Sequence, residues 1–92
     1  MDYKLLYASA NNVIKFINNN TLEYVSTEIL TSIKSQMLFI CDNAANGVNP
    51  SEVLPPETKF TYAIIASREL SSPSELVLKG LIDEVTKLLI NR

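Results

Sequence analysis

The chain has 92 residues, of which 47% are hydrophobic and 20% charged, and it contains no His, no Trp and a single Cys. This length is sufficient for one compact domain and too short for two independent cores, so we expect a single domain over residues 1–92. Ten acidic and eight basic residues give a net charge of −2 without a block of either sign. Because binding to a phosphate backbone requires concentrated positive charge, nucleic acid is not an expected partner.

The residue types that catalysis and cofactor binding require are scarce. Without His, the thiol of Cys41 would need a Lys or carboxylate base that no local motif supplies, so we interpret it as a buried structural thiol. The adjacent carboxylates Asp83 and Glu84 would point about 100° apart on a helix, which is typical of a solvated face. Gly47 and Gly80 are too few for a phosphate-binding loop. We therefore predict no enzymatic activity, no metal site and no cofactor.

Two helices are predicted in the first half of the chain. The first follows Asp2, whose carboxylate can cap its first turn, and ends at the Asn triplet 18–20. The second is predicted to start at Thr21 and to reach Ala44, with Gly47 as a left-handed cap beyond its end. Apolar residues recur every three or four positions in both: Leu6, Ala10, Val13 and Ile17 with Leu5 and Phe16 alongside, then Leu22, Val25, Ile29, Ile33, Met37, Ile40 and Ala44, broadened by Leu30, Leu38, Phe39 and Cys41.

A proline pair separates the second helix from the third. Pro55-Pro56 limits the segment from Val48 to Leu54 to a turn and a connector. The third helix is predicted to begin near Pro56 or Glu57 and to be buried on two sides. Its two predicted edges are Phe60, Ala63, Ile64 and Ser67, and Tyr62, Ile65 and Ala66. A strand from Phe60 to Ala66 is the alternative, because short apolar runs are ambiguous between helix and strand.

The start of the fourth helix carries the clearest local signal. Ser72 can cap it, Pro73 suits its first position, and Glu75 can reach back to the cap amide. On its outer face we expect Lys87 to pair with Asp83, four residues earlier. Gly80 is expected to permit close approach of another helix. The predicted core stripe is Leu78, Leu81, Ile82, Val85, Leu88 and Leu89.

Four helices with short connections predict an all-α fold, and specifically an antiparallel up-down four-helix bundle. A three-helix arrangement with a loosely docked first helix is the alternative. The N-terminus has no basic region followed by an apolar stretch, and no apolar run is long enough to cross a bilayer. We therefore predict neither a signal peptide nor a membrane span, and a cytoplasmic location.

The stretch from Ile29 to Val85 carries a family resemblance. Its features are a long second helix ending in a Gly-containing turn, the segment NPSEVL over 49–54, an apolar third helix with Ala63 and Ala66, and the link LSSPSEL over 70–76. In these features it resembles the enterocin A/pediocin-type (class IIa) bacteriocin immunity proteins, which are small cytosolic four-helix bundles. The chain departs from the family pattern at Pro55-Pro56, and it stops soon after the fourth helix, where some members carry a further segment.

The resemblance implies a non-catalytic protein that protects its host from a pore-forming bacteriocin. Its partner would be the bacteriocin-bound sugar-transporter receptor complex, engaged from the cytosolic side of the membrane without a membrane span. The contact surface would then lie in the second half of the chain, in the 48–58 connector, the turn from Arg68 to Ser72 and the C-terminal end. The candidate partner-binding residues are Tyr62, Arg68, Lys87, Asn91 and Arg92.

Tyr62 and Arg68 are the strongest candidates, since aromatic and guanidinium groups dominate binding hot spots. Burial of Tyr62 in the core and simple solvation of Arg68 are the alternative interpretations. Tyr3, Tyr7 and Tyr24 are weaker contact candidates, which we expect to lie at the edge of the core with their hydroxyls in water.

Two other functions remain open from the sequence. A small oligomeric adaptor or regulatory protein, for example a homodimer, would use the wide apolar face of the second helix around Leu38–Cys41. A helix-turn-helix DNA binder could be built from Ile64 to Lys79, although Lys79 is the one cation early in its candidate recognition helix.

Overall fold

The computed structural model describes residues 2–54 and 60–90, and its regular elements are helices. No strand occurs in these two ranges, so the predicted all-α class is confirmed. The alternative of a strand from Phe60 to Ala66 is wrong, because a helix occupies most of that stretch. The elements are α1 (Tyr3–Asn19), α2 (Thr27–Ala45), a 3₁₀ turn (Pro50–Glu52), α3 (Tyr62–Glu69) and α4 (Pro73–Ile90).

Both ends of α1 are defined by side chains of its own sequence. The Asp2 carboxylate accepts a hydrogen bond from the Leu5 amide at 3.0 Å, as the predicted cap requires. At the other end, the side-chain amide of Asn20 donates to the Phe16 carbonyl at 2.9 Å. The predicted boundaries of this helix are confirmed, although Leu5 is half exposed rather than part of the core.

The predicted start of α2 is wrong: the helix begins at Thr27, not at Thr21. Ser26 is the true cap, and its hydroxyl oxygen accepts from the Ile29 amide at 3.3 Å. Leu22 and Val25 lie in the preceding turn, yet both are buried, and the Val25 amide donates to the Leu22 carbonyl. A spacing of three residues suits a turn as well as a helix, so periodicity alone could not separate the two.

The C-terminus of α2 ends as predicted. Gly47 has a φ of +68°, a left-handed conformation that glycine adopts without a steric penalty. The Gly47 amide donates to the Ala44 carbonyl at 3.0 Å, and the Val48 amide donates to the Asn43 carbonyl at 2.9 Å. This pair of bonds is the Schellman motif, and it satisfies carbonyls that the last helical turn would otherwise leave unpaired.

One hydrophobic cluster draws side chains from all four helices. α1 packs against α2 and α4, and α3 packs against the same two helices. Cys41 is buried in this cluster, and its thiol lies 3.7 Å from the Tyr7 carbonyl oxygen, so the predicted burial of this thiol is confirmed. The fully buried large side chains are Leu6, Val13, Ile33, Met37, Ile40, Leu78, Ile82 and Val85, with Pro50 from the 3₁₀ turn.

The N-terminus of α3 is capped by a side chain from another helix. Thr61 occupies the cap position without a side-chain cap hydrogen bond of its own. Instead, the Gln36 side-chain oxygen accepts from the backbone amides of Thr61 and Tyr62, each at 2.9 Å. The Gln36 side-chain nitrogen donates to the Thr61 hydroxyl at 3.0 Å. Gln36 therefore replaces the missing local cap and joins α3 to the middle of α2.

Aromatic rings reinforce the same junction. The Phe60 ring lies 5.9 Å from the Phe39 ring in an edge-to-face arrangement and 5.9 Å from the Tyr62 ring. Burial of α3 is nonetheless one-sided, because Tyr62 and Ala66 are buried while Ala63, Ile64 and Ser67 are exposed. The predicted burial on two sides is wrong. The predicted start at Pro56 or Glu57 lies outside the described residues.

Two expectations for the outer face of α4 are also wrong. Lys87 pairs with Glu84, three residues earlier and 3.4 Å away, rather than with Asp83. Gly80 is exposed, and a Cβ built there would meet nothing within 4 Å, so it allows no close helix approach. The predicted core stripe is confirmed: Leu78, Ile82 and Val85 are buried, and Leu81, Leu88 and Leu89 pack against the core in part.

Replacing Gln36 tests the cap that it provides. Gln36→Leu leaves the Thr61 and Tyr62 amides without their acceptor, and we expect a loss of about 1–2 kcal/mol in the free energy of unfolding. Gln36→Glu keeps the acceptor oxygen and places a negative charge at a helix N-terminus, so it should stay within about 0.5 kcal/mol of wild type. Chemical denaturation measures both. Equal stability of Gln36→Leu and wild type would contradict the cap.

Replacing each of the two glycines with alanine should change the stability of the protein in opposite directions. Gly80→Ala adds a methyl group in open space on a helix, and we expect stabilisation by about 1 kcal/mol. Gly47→Ala forces a Cβ into the left-handed region and should destabilise by about 1–2 kcal/mol. Thermal unfolding of the two variants checks the signs, and a stabilised Gly47→Ala would contradict the assigned turn.

Candidate protein-binding surface

The turn between α3 and α4 is fixed by the Glu75 carboxylate. One carboxylate oxygen accepts from the Ser71 amide at 3.1 Å, and the other accepts from the Ser72 hydroxyl. Before the turn, Leu70 is buried, and its amide donates to the Ala66 carbonyl at 3.1 Å. The predicted start of α4 is confirmed. In a standard capping box the Glu75 side chain would accept from the amide of the cap residue, Ser72. Here it accepts from the amide of Ser71, one residue earlier, and from the Ser72 hydroxyl.

Glu75 is buried although it is a charged residue, with 2% of its surface exposed. Buried carboxylates normally require hydrogen-bond donors, and two such donors are present here. The pKa of Glu75 is lowered from its ordinary value of 4.5, mainly by the hydrogen bond from the Ser72 hydroxyl. Burial acts in the opposite direction and raises the pKa, while the backbone amide donors lower it further. The carboxylate is therefore ionised at neutral pH, and each of its oxygens accepts a hydrogen bond from the turn.

A second turn, residues 20–26, lies beside the first. Leu22 and Val25 are buried in it, and they fix the chain on both sides of Glu23 and Tyr24. Tyr24 is 82% exposed, more than any other large apolar residue within residues 2–54 and 60–90. An aromatic ring held outward by two buried neighbours loses little conformational freedom when it binds, which favours its use as a contact residue.

The two turns enclose a cleft of about 340 Å³ at one end of the domain. Arg68, in the last turn of α3, is exposed and lies four residues before Ser72 of the cleft wall in the chain. We call the exposed residues Tyr24, Arg68, Ser71 and Ser74 the turn surface. The cleft is lined by Thr21, Leu22, Glu23 and Tyr24 on one side and by Ser72, Pro73, Ser74 and Glu75 on the other.

The partner-binding residues predicted from the sequence differ in whether a partner could reach them. Tyr62 is 2% exposed and belongs to the core, so its ring is not available to a partner. Its hydroxyl lies 3.1 Å from the Thr86 hydroxyl oxygen, and Thr86 in turn donates to the Ile82 carbonyl. Since Thr86 has one hydroxyl proton, the phenol of Tyr62 is the donor in the first bond. Burial raises the pKa of Tyr62, against the opposing effect of the Thr86 hydrogen bond.

The other candidates do not form one site. Arg68 is exposed at the turn surface, whereas Lys87 is exposed on the outer face of α4 beside Glu84. Asn91 and Arg92 lie outside the described residues. In the 48–58 connector, Asn49 caps the 3₁₀ turn by accepting from the Ser51 amide at 3.0 Å, and residues 55–58 fall outside the described ranges.

Sequence reasoning ranked Tyr24 below Tyr62 and Arg68 as a contact residue because it placed Tyr24 on a helix. With α2 predicted from Thr21, Tyr24 became a residue at the edge of the core. The local signal for the correct boundary was Ser26 followed by Thr27 and Glu28, which combines a cap hydroxyl with an acidic first turn. The helix boundary decides whether the Tyr24 ring edges the core or stands free in solvent.

A second concave region lies between α1 and α2, away from the turn surface. It is an open, mainly apolar groove of about 400 Å³, lined by Tyr3, Lys4, Tyr7, Ala44 and Ala45. Tyr7 of this groove also contacts the buried thiol of Cys41 through its carbonyl. Burial, followed by the charge of Asp42, raises the pKa of Cys41. A thiol with a raised pKa is mostly protonated near neutral pH and is a weak nucleophile.

Within residues 2–54 and 60–90, no three His, Cys, Asp or Glu side chains are grouped closely enough to hold a metal ion. Asp83 and Glu84 are both exposed, as the solvated-face interpretation predicts. Among the described helices, none combines the length and apolarity that crossing a bilayer requires. Comparisons with protein-family models, curated proteins and solved structures found no match to this chain.

The hydrogen bonds of the Glu75 carboxylate predict how the stability of the protein changes with pH. Because the folded-state pKa is lowered, the stabilisation from this carboxylate is present above about pH 4.5 and is lost as the pH falls through the lowered value. Glu75→Gln should therefore be less stable than wild type at neutral pH, with a smaller loss of stability on acidification. Free energies of unfolding from pH 7 to pH 3 test this.

Glu52→Gln removes an exposed carboxylate and controls for the change in net charge. If Glu75→Gln and Glu52→Gln have the same dependence of stability on pH, the Glu75 carboxylate does not hold the turn.

Proposed function

We propose that this protein is a bacteriocin immunity protein of the enterocin A/pediocin type. It acts without catalysis, by binding a bacteriocin-bound sugar-transporter receptor complex at the cytosolic face of the membrane. The observation that carries the proposal is the turn surface, where the exposed Tyr24 ring lines a cleft whose opposite wall is held by Glu75, with the exposed Arg68 a few residues before that wall in the chain. That combination suits recognition of a protein partner.

The local features behind the family resemblance support the proposal. The Schellman turn at Gly47, the capped 3₁₀ turn over 50–52 and the Glu75-braced start of α4 all fall within the resembling stretch. Each is a defined piece of backbone geometry set by hydrogen bonds. They are the features of the sequence on which the resemblance depends.

We further propose the antiparallel up-down bundle that the family fold implies. The helices contact one another in the cyclic order α1, α2, α3, α4. Three pairings support alternating directions: Tyr7 early in α1 with Cys41 late in α2, Tyr62 at the start of α3 with Thr86 late in α4, and the turn after α1 with the start of α4. Each pairing joins the beginning of one helix to the end of a neighbour.

DNA binding is a weaker proposal on the same surface. A recognition helix uses basic or amide side chains near its N-terminus to contact phosphates and bases. The early exposed residues of α4 are Pro73, Ser74, Leu76 and Val77, and Lys79 is partly covered. An apolar patch on this face suits protein contact better than a groove in DNA.

A protection assay tests the function and the surface together. We expect bacteriocin-sensitive lactic acid bacteria or streptococci that express the chain to resist at least one class IIa bacteriocin. Tyr24→Ala should reduce that protection at least about tenfold, because loss of an aromatic hot spot costs about 2 kcal/mol of binding. The half-inhibitory bacteriocin concentration is the readout.

Leu5→Ala is the matched control. Leu5 is half exposed near the start of α1, about 21 Å along the helix from its end at Asn19, which the Tyr24 turn follows. Its substitution should leave protection unchanged. Sensitivity to every bacteriocin of a broad panel, with folded protein present in the cells, would contradict the proposed function. Protection that Tyr24→Ala and Leu5→Ala retain equally would contradict the proposed surface only.

A further inference from the structure

The cleft between the two turns carries an inference that rests on the proposed function and names the chemistry of the group that the partner presents. Two carboxylates line the cleft, Glu23 on the wall of residues 21–24 and Glu75 on the wall of residues 72–75. Among the described residues that line it, none is basic, and Arg68 of the turn surface is not one of them. The lining is therefore acidic on both sides.

The charges around the cleft do not cancel. The Glu75 carboxylate is held by the Ser71 amide and the Ser72 hydroxyl. The Glu23 side chain is exposed and takes part in no ion pair within residues 2–54 and 60–90. The N-terminus of α4 opposes these two charges, but it carries only about half of one positive charge, so the carboxylates exceed it about fourfold. The cleft therefore attracts a cation.

The Tyr24 ring adds an aromatic surface beside the Glu23 carboxylate. Both residues line the cleft and are adjacent in the chain, so one bound group can contact both. Leu22 and Pro73 contribute apolar surface to the two walls. A guanidinium group is planar and weakly hydrated, stacks on aromatic faces, and pairs with a carboxylate through two parallel hydrogen bonds. An ammonium group would use the charge of the cleft but not its aromatic surface.

The size of the cleft suits one long side chain. Its volume of about 340 Å³ lies at the lower limit of ligand pockets, which range from about 300 to 1,000 Å³. The apolar stem of an arginine can cover Leu22 and Pro73 while its charged end stays near solvent. We infer that this cleft binds an arginine side chain of the partner protein, with the guanidinium stacked on Tyr24 and paired with Glu23.

Titration with Nα-acetyl-arginine amide, followed by nuclear magnetic resonance at constant ionic strength, tests the contact without the partner. In wild type, the Glu23, Tyr24 and Ser74 amide signals should shift saturably. The dissociation constant should be on the order of tens of millimolar, because one exposed ion pair and one exposed cation–π contact are each weak. Nα-acetyl-citrulline amide, which has a similar shape without the charge, should bind at least about fivefold more weakly. Nα-acetyl-lysine amide should also bind more weakly than the arginine compound.

Two substitutions separate the contributions of the carboxylate and the ring. Glu23→Gln and Tyr24→Leu should each weaken binding of the arginine compound about 2–5-fold. Asp42→Asn is the matched control, since it also removes one exposed carboxylate but lies about 22 Å along α2 from the start of that helix at Thr27. It should leave binding unchanged.

Three results of the titration would overturn the inference. They are equal binding of the arginine and citrulline compounds, signal shifts centred away from the cleft, and a Glu23→Gln variant that binds the arginine compound as tightly as wild type.

Charge reversal in the protection assay distinguishes this inference from the proposed function. Glu23→Arg should reduce protection at least about tenfold, because it places a like charge opposite the arginine of the partner. Asp42→Arg makes the same change in net charge and should retain protection. Equal protection by the two variants would overturn the inference and leave the immunity function standing. A chain that binds the arginine compound at the cleft but protects against no bacteriocin of the panel would contradict the function alone.

Discussion

The position of α3 depends on one glutamine. At eight residues, α3 is shorter than the length at which an isolated helix is stable in water, and its own cap residue makes no side-chain cap bond. Gln36 supplies the missing acceptor to two α3 amides and a donor to Thr61. Because these bonds come from the middle of α2, they fix the start of α3 beside the main core. Packing of Tyr62 and Ala66 then secures its buried face.

The surface at the opposite end of α3 follows from that placement. With its start fixed by Gln36 and by the phenol of Tyr62 bonded to Thr86, the helix delivers Leu70 to the core and leaves Arg68 in solvent. Glu75 then closes the turn into α4. The hydrogen bonds at the two ends of α3 thus fix its backbone, and they determine which side chains at this end of the domain reach solvent.

The predictions that succeeded rest on local chemistry, whereas those that failed either required distant contacts or had to choose between competing local signals. The Asp2 cap, the start of α4 at Pro73 and the left-handed Gly47 are set by neighbours within a few residues, so these helix ends could be predicted from the local sequence. The Gln36 cap joins residues 25 positions apart, and no spacing rule reveals such a pair. The predicted start of α2 was wrong because Leu22 and Val25 are spaced as in a helix but lie buried in a turn. The same error placed Tyr24 at the edge of the core, whereas its side chain is exposed. Tyr62 was a plausible contact residue until packing placed it in the core.

Amide hydrogen exchange at Thr61 and Tyr62 tests the central role of Gln36 most directly. The first amides of an α-helix have no acceptor within the helix and normally exchange fast. If Gln36 caps α3, both amides exchange slowly in wild type and in Gln36→Glu, and fast in Gln36→Leu. Fast exchange of both amides in wild type, with the rest of α3 protected, would contradict the account.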